Sequence, residues 1–174
     1  MMRRKMFRAI AAVVLASGLA FPAGSPMGGE DLEYQAKAAF LFNFLRFVEW
    51  PPAAADSPWV IGVLGPGPFA DVLDQTVLGK IVNGRRVEIR RYSRLNDVKD
   101  CNVLFIGRVE FERSGVPVQK GLLTVGEAPG FLKSGGIINF YLEDKHLHFE
   151  IRALAAHSAG LRVSSQLMKL GRAL

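Results

Sequence analysis

The chain has 174 residues, of which 22 are basic, 16 are acidic and one is a cysteine. Four of the basic side chains lie within the first eight positions, and without them the formal net charge of +6 falls to +2. So small a charge does not favour nucleic-acid binding, and a single cysteine excludes a disulfide bond within the chain.

The first residues have the composition of a secretory signal peptide. Positive charges come first and an apolar run, Ala9 to Phe21, follows; the charges are Arg3, Arg4, Lys5 and Arg8. The pattern predicts a signal peptide over residues 1–25, cleaved after Ala20 or Ser25. An uncleaved membrane anchor is the alternative, although the run is short for a membrane span. We therefore expect an exported domain over residues 30–174, without a membrane span once the signal is cleaved.

The segment from Tyr34 to Pro52, YQAKAAFLFNFLRFVEWPP, predicts one helix that is apolar on most sides. It should end at Trp50-Pro51-Pro52, because proline restricts the residue before it and cannot continue a helix. A helix this apolar must be covered by other elements. Polar residues interrupt it too often for a bilayer span: Lys37, Asn43, Arg46 and Glu49.

One side of this helix carries an aromatic side chain among polar ones. At about 100° per residue, Phe42 falls within a narrow stripe, while the other phenylalanines lie on the opposite, core-like face. The stripe contains Gln35, Ala39, Asn43, Arg46 and Glu49. An aromatic residue in a polar stripe indicates a contact surface, so we predict partner binding by Phe42, Arg46 and Glu49. The alternative is that another element of the same chain covers Phe42.

The middle of the chain alternates strands with short helices. The predicted strands are Trp59–Leu64, Arg86–Tyr92, Cys101–Ile106 and Leu122–Val125, and the predicted helices are Phe69–Leu78 and Val109–Ser114. Most of these strands are apolar throughout, which favours a parallel sheet covered on both faces by crossover helices.

The C-terminal part has a different pattern. Two runs, Gly136–Leu142 and His146–Ile151, are separated by three polar residues and predict an antiparallel hairpin. Short helices should follow at Ala153–Ala159 and Ser164–Leu170. The predicted fold class is therefore α/β: a single domain with a mixed, mostly parallel sheet flanked by helices and a C-terminal antiparallel hairpin.

Motifs for catalysis are scarce. The run Gly62-x-x-Gly65-x-Gly67 follows a strand, but it matches no phosphate-binding fingerprint and contains two prolines, so we interpret it as a turn. His146 and His148 share one strand face, and we interpret them as solvent-facing side chains rather than metal ligands. We expect no catalytic residue, no metal and no cofactor.

Two further features have both a structural and a functional interpretation. A cluster of arginines could bind a phosphate or an acidic partner, or could be a solvated strand edge, which we favour. The cluster consists of Arg85, Arg86, Arg90, Arg91 and Arg94. Cys101 begins an apolar strand, and we interpret it as a buried core residue rather than a nucleophile.

Several segments occur in an order that is typical of one protein family. They are KAAFLFNF (37–44), FVEWP (47–51), IGVLG (61–65), CNVLFI (101–106), LTVGE (123–127), GGIINF (135–140), FEI (149–151) and AGLRVSSQL (159–167). In these segments the whole mature chain resembles the YfiR-like family of bacterial periplasmic proteins. Each segment alone is a weak signal, and their order and coverage carry the resemblance.

The resemblance implies a non-enzymatic, periplasmic role. It implies a repressor that binds the periplasmic sensor region of an inner-membrane diguanylate cyclase and restrains cyclic-di-GMP signalling and biofilm formation. Some relatives are expected to serve sensor kinases instead. For this chain we therefore predict such a partner, with a homodimer as an alternative contact of the Phe42 stripe.

The second functional class is a periplasmic binder of a nucleotide-like or aromatic small molecule. For it we predict a pocket formed by Arg46, Trp50 and Arg152, since arginine and aromatic side chains suit such ligands. Two departures from the family bear on these expectations. Disulfide-based redox control does not carry over to a chain with Cys101 alone, and Arg152 stands where relatives often have asparagine.

Overall fold

The computed structural model describes residues 29–52 and 57–174, so the predicted signal peptide lies outside the described residues. The chain divides into two compact units, Met1–Leu32 and Glu33–Leu174. The described part of the first unit is the beginning of the first helix. The second unit contains every described strand.

The described helices and strands alternate along most of the chain. The helices are α1 (Gly29–Phe47), α2 (Phe69–Val77), α3 (Arg108–Ser114), α4 (Ala153–Ser158) and α5 (Ser165–Leu170), with one 3-10 turn at Leu95–Asp97. The strands are β1 (Val48–Glu49), β2 (Trp59–Leu64), β3 (Ile81–Val82), β4 (Arg85–Tyr92), β5 (Val103–Ile106), β6 (Leu123–Gly126), β7 (Ile138–Glu143), β8 (His146–Ile151), β9 (Arg162–Val163) and β10 (Arg172–Ala173).

Eight strands form the main sheet in the order β10-β8-β7-β6-β5-β2-β4-β3. The five central strands, β4-β2-β5-β6-β7, are parallel, and antiparallel pairs flank them on both sides. The predicted fold class, mixed and mostly parallel with a C-terminal antiparallel hairpin, is confirmed. The central order places the point where the strand sequence reverses between β2 and β5, as in doubly wound α/β folds.

The parallel strands β2, β5 and β6 are buried on both faces because each face has its own apolar cluster. The first cluster contains side chains of α1, α2, α4 and α5 and alternate residues of the strands, such as Ile61 and Val103. The second contains the intervening residues, such as Val60 and Leu104, together with Phe131 and Leu132 from the loop before β7. This two-sided burial explains why β2, β5 and β6 read as continuous apolar runs.

Helix α1 ends at Phe47 rather than at Trp50. Val48 and Glu49 are extended and pair with β9, and the N–H of Ser164 donates to the Phe47 carbonyl at 2.9 Å. The predicted continuation to Trp50 was therefore wrong, because pairing with a strand more than 100 residues away ends the helix before the prolines do. Glu49 consequently lies on a strand and not on the helical stripe.

The C-terminal hairpin of β7 and β8 turns through Asp144 and Lys145, both of which have positive φ, 50° and 62°. Two such residues form the tight turn whose twist matches that of a hairpin. The first and last pairs of its register are Glu143 with His146 and Ile138 with Ile151. Strand β10 then adds to the outer edge of β8 in parallel, which the sequence pattern did not indicate.

Candidate functional site

The buried face of α1 holds the helix to the sheet through aromatic contacts. Phe44 is fully buried, and its ring centroid lies 6.1 Å from that of Phe140 and 5.5 Å from that of Phe149. Phe40, one turn earlier, contacts the same two rings at 5.9 and 5.3 Å. These stacked, tilted and edge-to-face pairs fix the position and rotation of α1 against β7 and β8.

Phe42 points to a different side of α1. It is half-buried, packs against the first core cluster, and has the Nζ of Lys80 at 4.8 Å from its ring centroid. Lys80 lies between α2 and β3, so another element of the same chain contacts part of the ring, as the alternative proposed. The remaining part is accessible, and the cation beside it gives this ring a polar rim.

Arg46 and Glu49 lie near the C-terminal end of α1 and are both exposed. Glu49, on β1, forms an ion pair of 3.5 Å with Arg162 of β9. Arg46 makes no side-chain hydrogen bond or ion pair within the described part of the chain. Phe42, Arg46 and Glu49 therefore remain a predicted surface, which we call the α1 surface.

Trp50 follows β1 and forms an edge-to-face aromatic pair. Its ring lies 5.1 Å from that of Trp59, and the guanidinium carbon of Arg85 lies 3.9 Å from the Trp59 ring. The Nε1 of Trp59 donates to the Val82 carbonyl at 2.9 Å. The Nε1 of Trp50 is buried without an acceptor among the residues that the structure describes.

Arg152 follows β8 and lies on the other face of the sheet. Its Nη1 donates to the carbonyl oxygen of Leu132 at 2.7 Å, and Leu132 belongs to the second core cluster. Trp50 packs against the first cluster. The structure therefore does not bring Arg152 together with Trp50 and Arg46 in one pocket, and the three residues show no mutual contact in the described ranges.

Sequence reasoning missed the most constrained charged residue, Lys37. Its side chain is 5% exposed and forms ion pairs with Glu33, one turn earlier on α1, and with Glu127 just after β6, at 2.5 Å from the latter. Burial alone lowers the pKa of Lys37, but the hydrogen bonds to Glu127 and Glu33 outweigh it and hold the pKa above 10.5. The pair Glu33 and Lys37, four residues apart, was the available sequence signal.

Lys37 ties α1 to the carboxyl edge of the parallel strands. Open α/β sheets commonly bind ligands at this edge, where the strand order reverses. Here Gly65 (φ +91°) follows β2, and a side-chain carbon on it would approach Glu110 of α3 to 2.4 Å. Glu110 is buried and pairs with Arg113 at 3.3 Å. A carboxylate thus packs against the glycine-rich turn, which disfavours a phosphate there.

A family comparison identifies the class of protein to which this arrangement belongs. A model of the YfiR/HmsC-like family matches residues 34–172, which include strands β1 to β9 and most of α1. The chain belongs to the YfiR/HmsC-like family. A search among curated proteins gave no significant match.

The arginine cluster of this YfiR/HmsC-like domain is largely paired within the chain. Arg91 binds Asp71 and Asp74 of α2, both at 2.6 Å, and Arg94 lies 3.2 Å from Asp97. The guanidinium of Arg85 stacks on Trp59 and donates to the hydroxyl of Ser57. Arg90 lies 3.8 Å from Glu88, so four of the five arginines have a partner in the chain. The solvated-edge interpretation therefore fits the cluster better than a phosphate site.

The described residues of this family member contain no cluster of three or more histidine, cysteine or acidic side chains that could hold a metal ion. His148 stacks with Tyr141 across the hairpin, at 5.6 Å between ring centroids. In the same residues, no helix combines the length and apolarity needed to cross a bilayer.

Cys101 is buried in the second core cluster, with its Sγ 3.1 Å from the Val103 carbonyl. Burial raises the pKa of its thiol from 9.0 to about 12, so the thiol stays protonated at neutral pH. A side-chain carbon on Gly62 would lie 2.8 Å from this sulfur, which shows how closely it is packed. These contacts make Cys101 a core residue of the family fold in this chain.

We expect Cys101→Ser to lower the free energy of unfolding by about 1–3 kcal/mol, because a hydroxyl is costlier to bury than a thiol. Native Cys101 should react with a thiol reagent far more slowly than in urea. Both are measured on purified protein, by denaturant titration and by the rate of labelling. If the native thiol is labelled as fast as the thiol of the unfolded chain, Cys101 is not a buried core residue.

Proposed function

We propose that this chain is a non-enzymatic periplasmic protein that binds and restrains the sensor region of an inner-membrane signalling protein. The family is known for periplasmic regulators of diguanylate cyclases and is regulatory rather than catalytic. The partner proposed here is the periplasmic domain of a diguanylate cyclase or of a sensor kinase. Export through the predicted signal peptide would place the chain beside such a domain.

The observation that carries this proposal is the α1 surface. Phe42 presents a partly accessible aromatic ring, Arg46 a guanidinium without an ion pair to any described residue, and Glu49 an exposed carboxylate, all near one end of α1. Aromatic and arginine side chains are the common anchors of protein interfaces. The helix that presents them is held rigid by Phe44 and Lys37, so little conformational entropy would be lost on binding.

Restraint of a sensor requires more than binding. A bound protein shifts the equilibrium between two sensor conformations only if its affinity for them differs. A shift in their populations from 1:99 to 99:1 requires about 10⁴-fold tighter binding to the favoured conformation. The α1 surface is thus proposed to fit the inactive conformation of the sensor. Release of the protein would return the sensor to its active state.

Charge reversal at Arg46 tests this assignment. We expect Arg46→Glu to weaken binding to the sensor domain at least tenfold, because the guanidinium makes no contact within the described chain that its loss could break. Binding is measured by pull-down and titration, with the partner identified by affinity purification from the periplasm. Arg86→Glu is the matched control, since Arg86 is an exposed arginine on β4.

The two variants separate the possible outcomes. Arg86→Glu should leave binding within twofold of the unaltered chain, and both variants should keep its melting temperature. Equal binding by the unaltered chain and Arg46→Glu would remove Arg46 from the interface. Loss of binding in Arg86→Glu alone would move the interface to the arginine cluster.

A second candidate function is binding of a nucleotide-like or aromatic small molecule. Two observations favour it: the buried Nε1 of Trp50 has no acceptor in the described residues, and Arg46 lies on the same segment. An indole donor beside a second aromatic ring can orient a planar ligand. Titration with a mononucleotide, followed by tryptophan fluorescence, distinguishes this function; no saturable change would exclude it for that ligand.

A further inference from the structure

We propose that an open cavity beyond the end of β8 binds a single-chain amphipathic anion, that is, a carboxylate or phosphate with one short apolar tail. We call it the Arg152 cavity. It has a volume of about 320 Å³ and is lined by Leu132, Lys133, Arg152, Leu154 and Leu174. It shares no residue with the α1 surface, and the proposal does not rest on the proposed function.

The fold builds this cavity from three separate segments. Strand β8 ends at Ile151, and Arg152 and Leu154 follow at the beginning of α4. Leu132 and Lys133 come from the loop before β7, which Arg152 holds through its hydrogen bond to the Leu132 carbonyl. Leu174 is placed by its N–H, which donates to the Ile151 carbonyl at 2.9 Å. The walls are therefore positioned by the backbone of the sheet edge.

The charged side chains of the cavity are cationic. Both ionisable side chains that line it, Lys133 and Arg152, are cations, and neither forms an ion pair within the described residues. Arg152 donates from Nη1 to a carbonyl, which leaves its Nε and Nη2 donors for a ligand. An arginine fork with a neighbouring lysine is a common arrangement for binding carboxylate or phosphate oxygens.

The remaining walls are apolar, and two of the three leucines that form them are largely exposed. Leu154 is 76% exposed and Leu174 is 62% exposed, and both lie in the same cavity as the two cations. An apolar chain over these leucines would remove their surface from water, which stabilises a complex in proportion to the area covered. A purely polar anion would leave the leucines uncovered, and an apolar cation would be repelled by Lys133 and Arg152.

The size of the cavity limits the ligand further. Small-molecule sites range from about 300 to 1,000 Å³, so this one is at the lower end of that range. It suits one short chain rather than a lipid with two acyl chains. We therefore assign the site to a free anion in solution and not to a membrane surface.

The test uses the mature chain and straight-chain acids as probes. Hexanoate, octanoate and decanoate are titrated calorimetrically below their critical micelle concentrations, with acetate and octylammonium as comparison probes. Affinity should rise with chain length, by up to about fourfold for each added methylene, and neither comparison probe should bind. Absence of saturable binding by any of the acids would overturn the proposal, as would equal binding of octylammonium.

Exposed positions allow variants that should all fold. Lys133→Gln and Leu154→Ser should each weaken decanoate binding at least fivefold. Lys99→Gln and Leu78→Ser are the matched controls, since Lys99 is exposed and Leu78 is 84% exposed elsewhere on the chain. The controls should bind within twofold of the unaltered chain.

The remaining outcomes also decide the proposal. Binding that is unchanged by Lys133→Gln and Leu154→Ser would place the acid elsewhere and reject the Arg152 cavity. Sedimentation with phosphatidylglycerol vesicles, without binding of monomeric decanoate, would identify a membrane surface instead. Arg46→Glu should leave decanoate binding unchanged, so failure of the α1 surface and failure of this site are distinguishable.

Discussion

Phe44→Ala should destabilise the domain by about 3–5 kcal/mol, whereas Phe42→Ala should cost much less stability and weaken association with the partner. The two residues are two positions apart on α1 and have the same side chain. Phe44 is 0% exposed and contacts three other aromatic rings, so its truncation leaves a cavity in the first core cluster.

Phe42 should behave differently because only part of its ring is buried. The contacts recorded for it are packing against the first core cluster and the cation of Lys80 over its ring. Truncation there opens toward solvent, which can occupy the space, and a cation–π contact at such a site contributes about 0.5–1 kcal/mol. We expect a loss of about 1–2 kcal/mol from stability and at least a tenfold loss of partner affinity.

The measurement is a side-by-side comparison of the two variants. Urea titration gives the free energy of unfolding, and titration with the sensor domain gives the affinity, at a temperature where both variants are folded. Phe42→Leu serves as a control that keeps most of the apolar volume. If Phe42→Ala unfolds the domain as severely as Phe44→Ala, Phe42 is a core residue and does not belong to the α1 surface.

The sequence was sufficient for elements whose burial pattern is visible locally. Strands β2 and β8 begin and end as predicted, because a continuous apolar run and a strict alternation each identify a strand. Strands β1, β3, β9 and β10 were not predicted. Each has two residues, too few for any periodicity, and each exists only because a partner strand lies beside it.

The candidate site divides in the same way. Helical spacing places Phe42 on a different side of α1 from the buried Phe44, and its role in partner binding stays a prediction. The cation over Phe42 comes from the loop between α2 and β3, and the separation of Arg152 from Trp50 depends on which face of the sheet each approaches. Both features depend on residues that are far apart in the chain, so a local sequence pattern cannot predict them.

Lys37 is the clearest example of what local patterns omit. From the sequence, Lys37 was interpreted as a polar residue that interrupts an apolar helix. In the structure, its side chain is among the most buried charged groups in the described residues. Its partner Glu127 is 90 positions away in the chain, so the pair became visible only in the fold. Burying a charged lysine has a desolvation cost, and such lysines are found almost only in ion pairs. Removing Lys37 therefore tests how much the ion pair contributes to stability.

Lys37→Met should lower the free energy of unfolding by about 2–4 kcal/mol at pH 8. Methionine keeps most of the apolar stem, so the loss reports mainly on the charge. It leaves Glu33 and Glu127 facing each other without their cation, although both carboxylates retain 27–29% of their exposure and water offsets part of the cost. Lys37→Met combined with Glu127→Gln should be less destabilising than the single change, because the unpaired charge is then removed as well.

The pH dependence of this loss has a definite sign. The pKa of Lys37 is raised above 10.5 in the folded chain, since hydrogen bonds to Glu127 and Glu33 outweigh burial. The ion pair therefore contributes fully below pH 10.5, the ordinary value, and its contribution disappears as the pH rises through the higher folded value. The stability difference between the unaltered chain and Lys37→Met should be constant from pH 7 to 9 and narrow above about pH 10.5.

Urea titrations at pH 8 and pH 11 measure this difference, with Lys120→Met as the matched control, because Lys120 is an exposed lysine. Other titrating groups, such as Tyr92, whose pKa burial raises above its ordinary value, are present in all three proteins and cancel in the comparison. A Lys37→Met variant as stable as Lys120→Met would show that the pair does not hold α1 to β6. A larger difference at pH 11 than at pH 8 would show that the pKa of Lys37 is lowered by burial instead, because the difference would then grow as the pH rises toward 10.5.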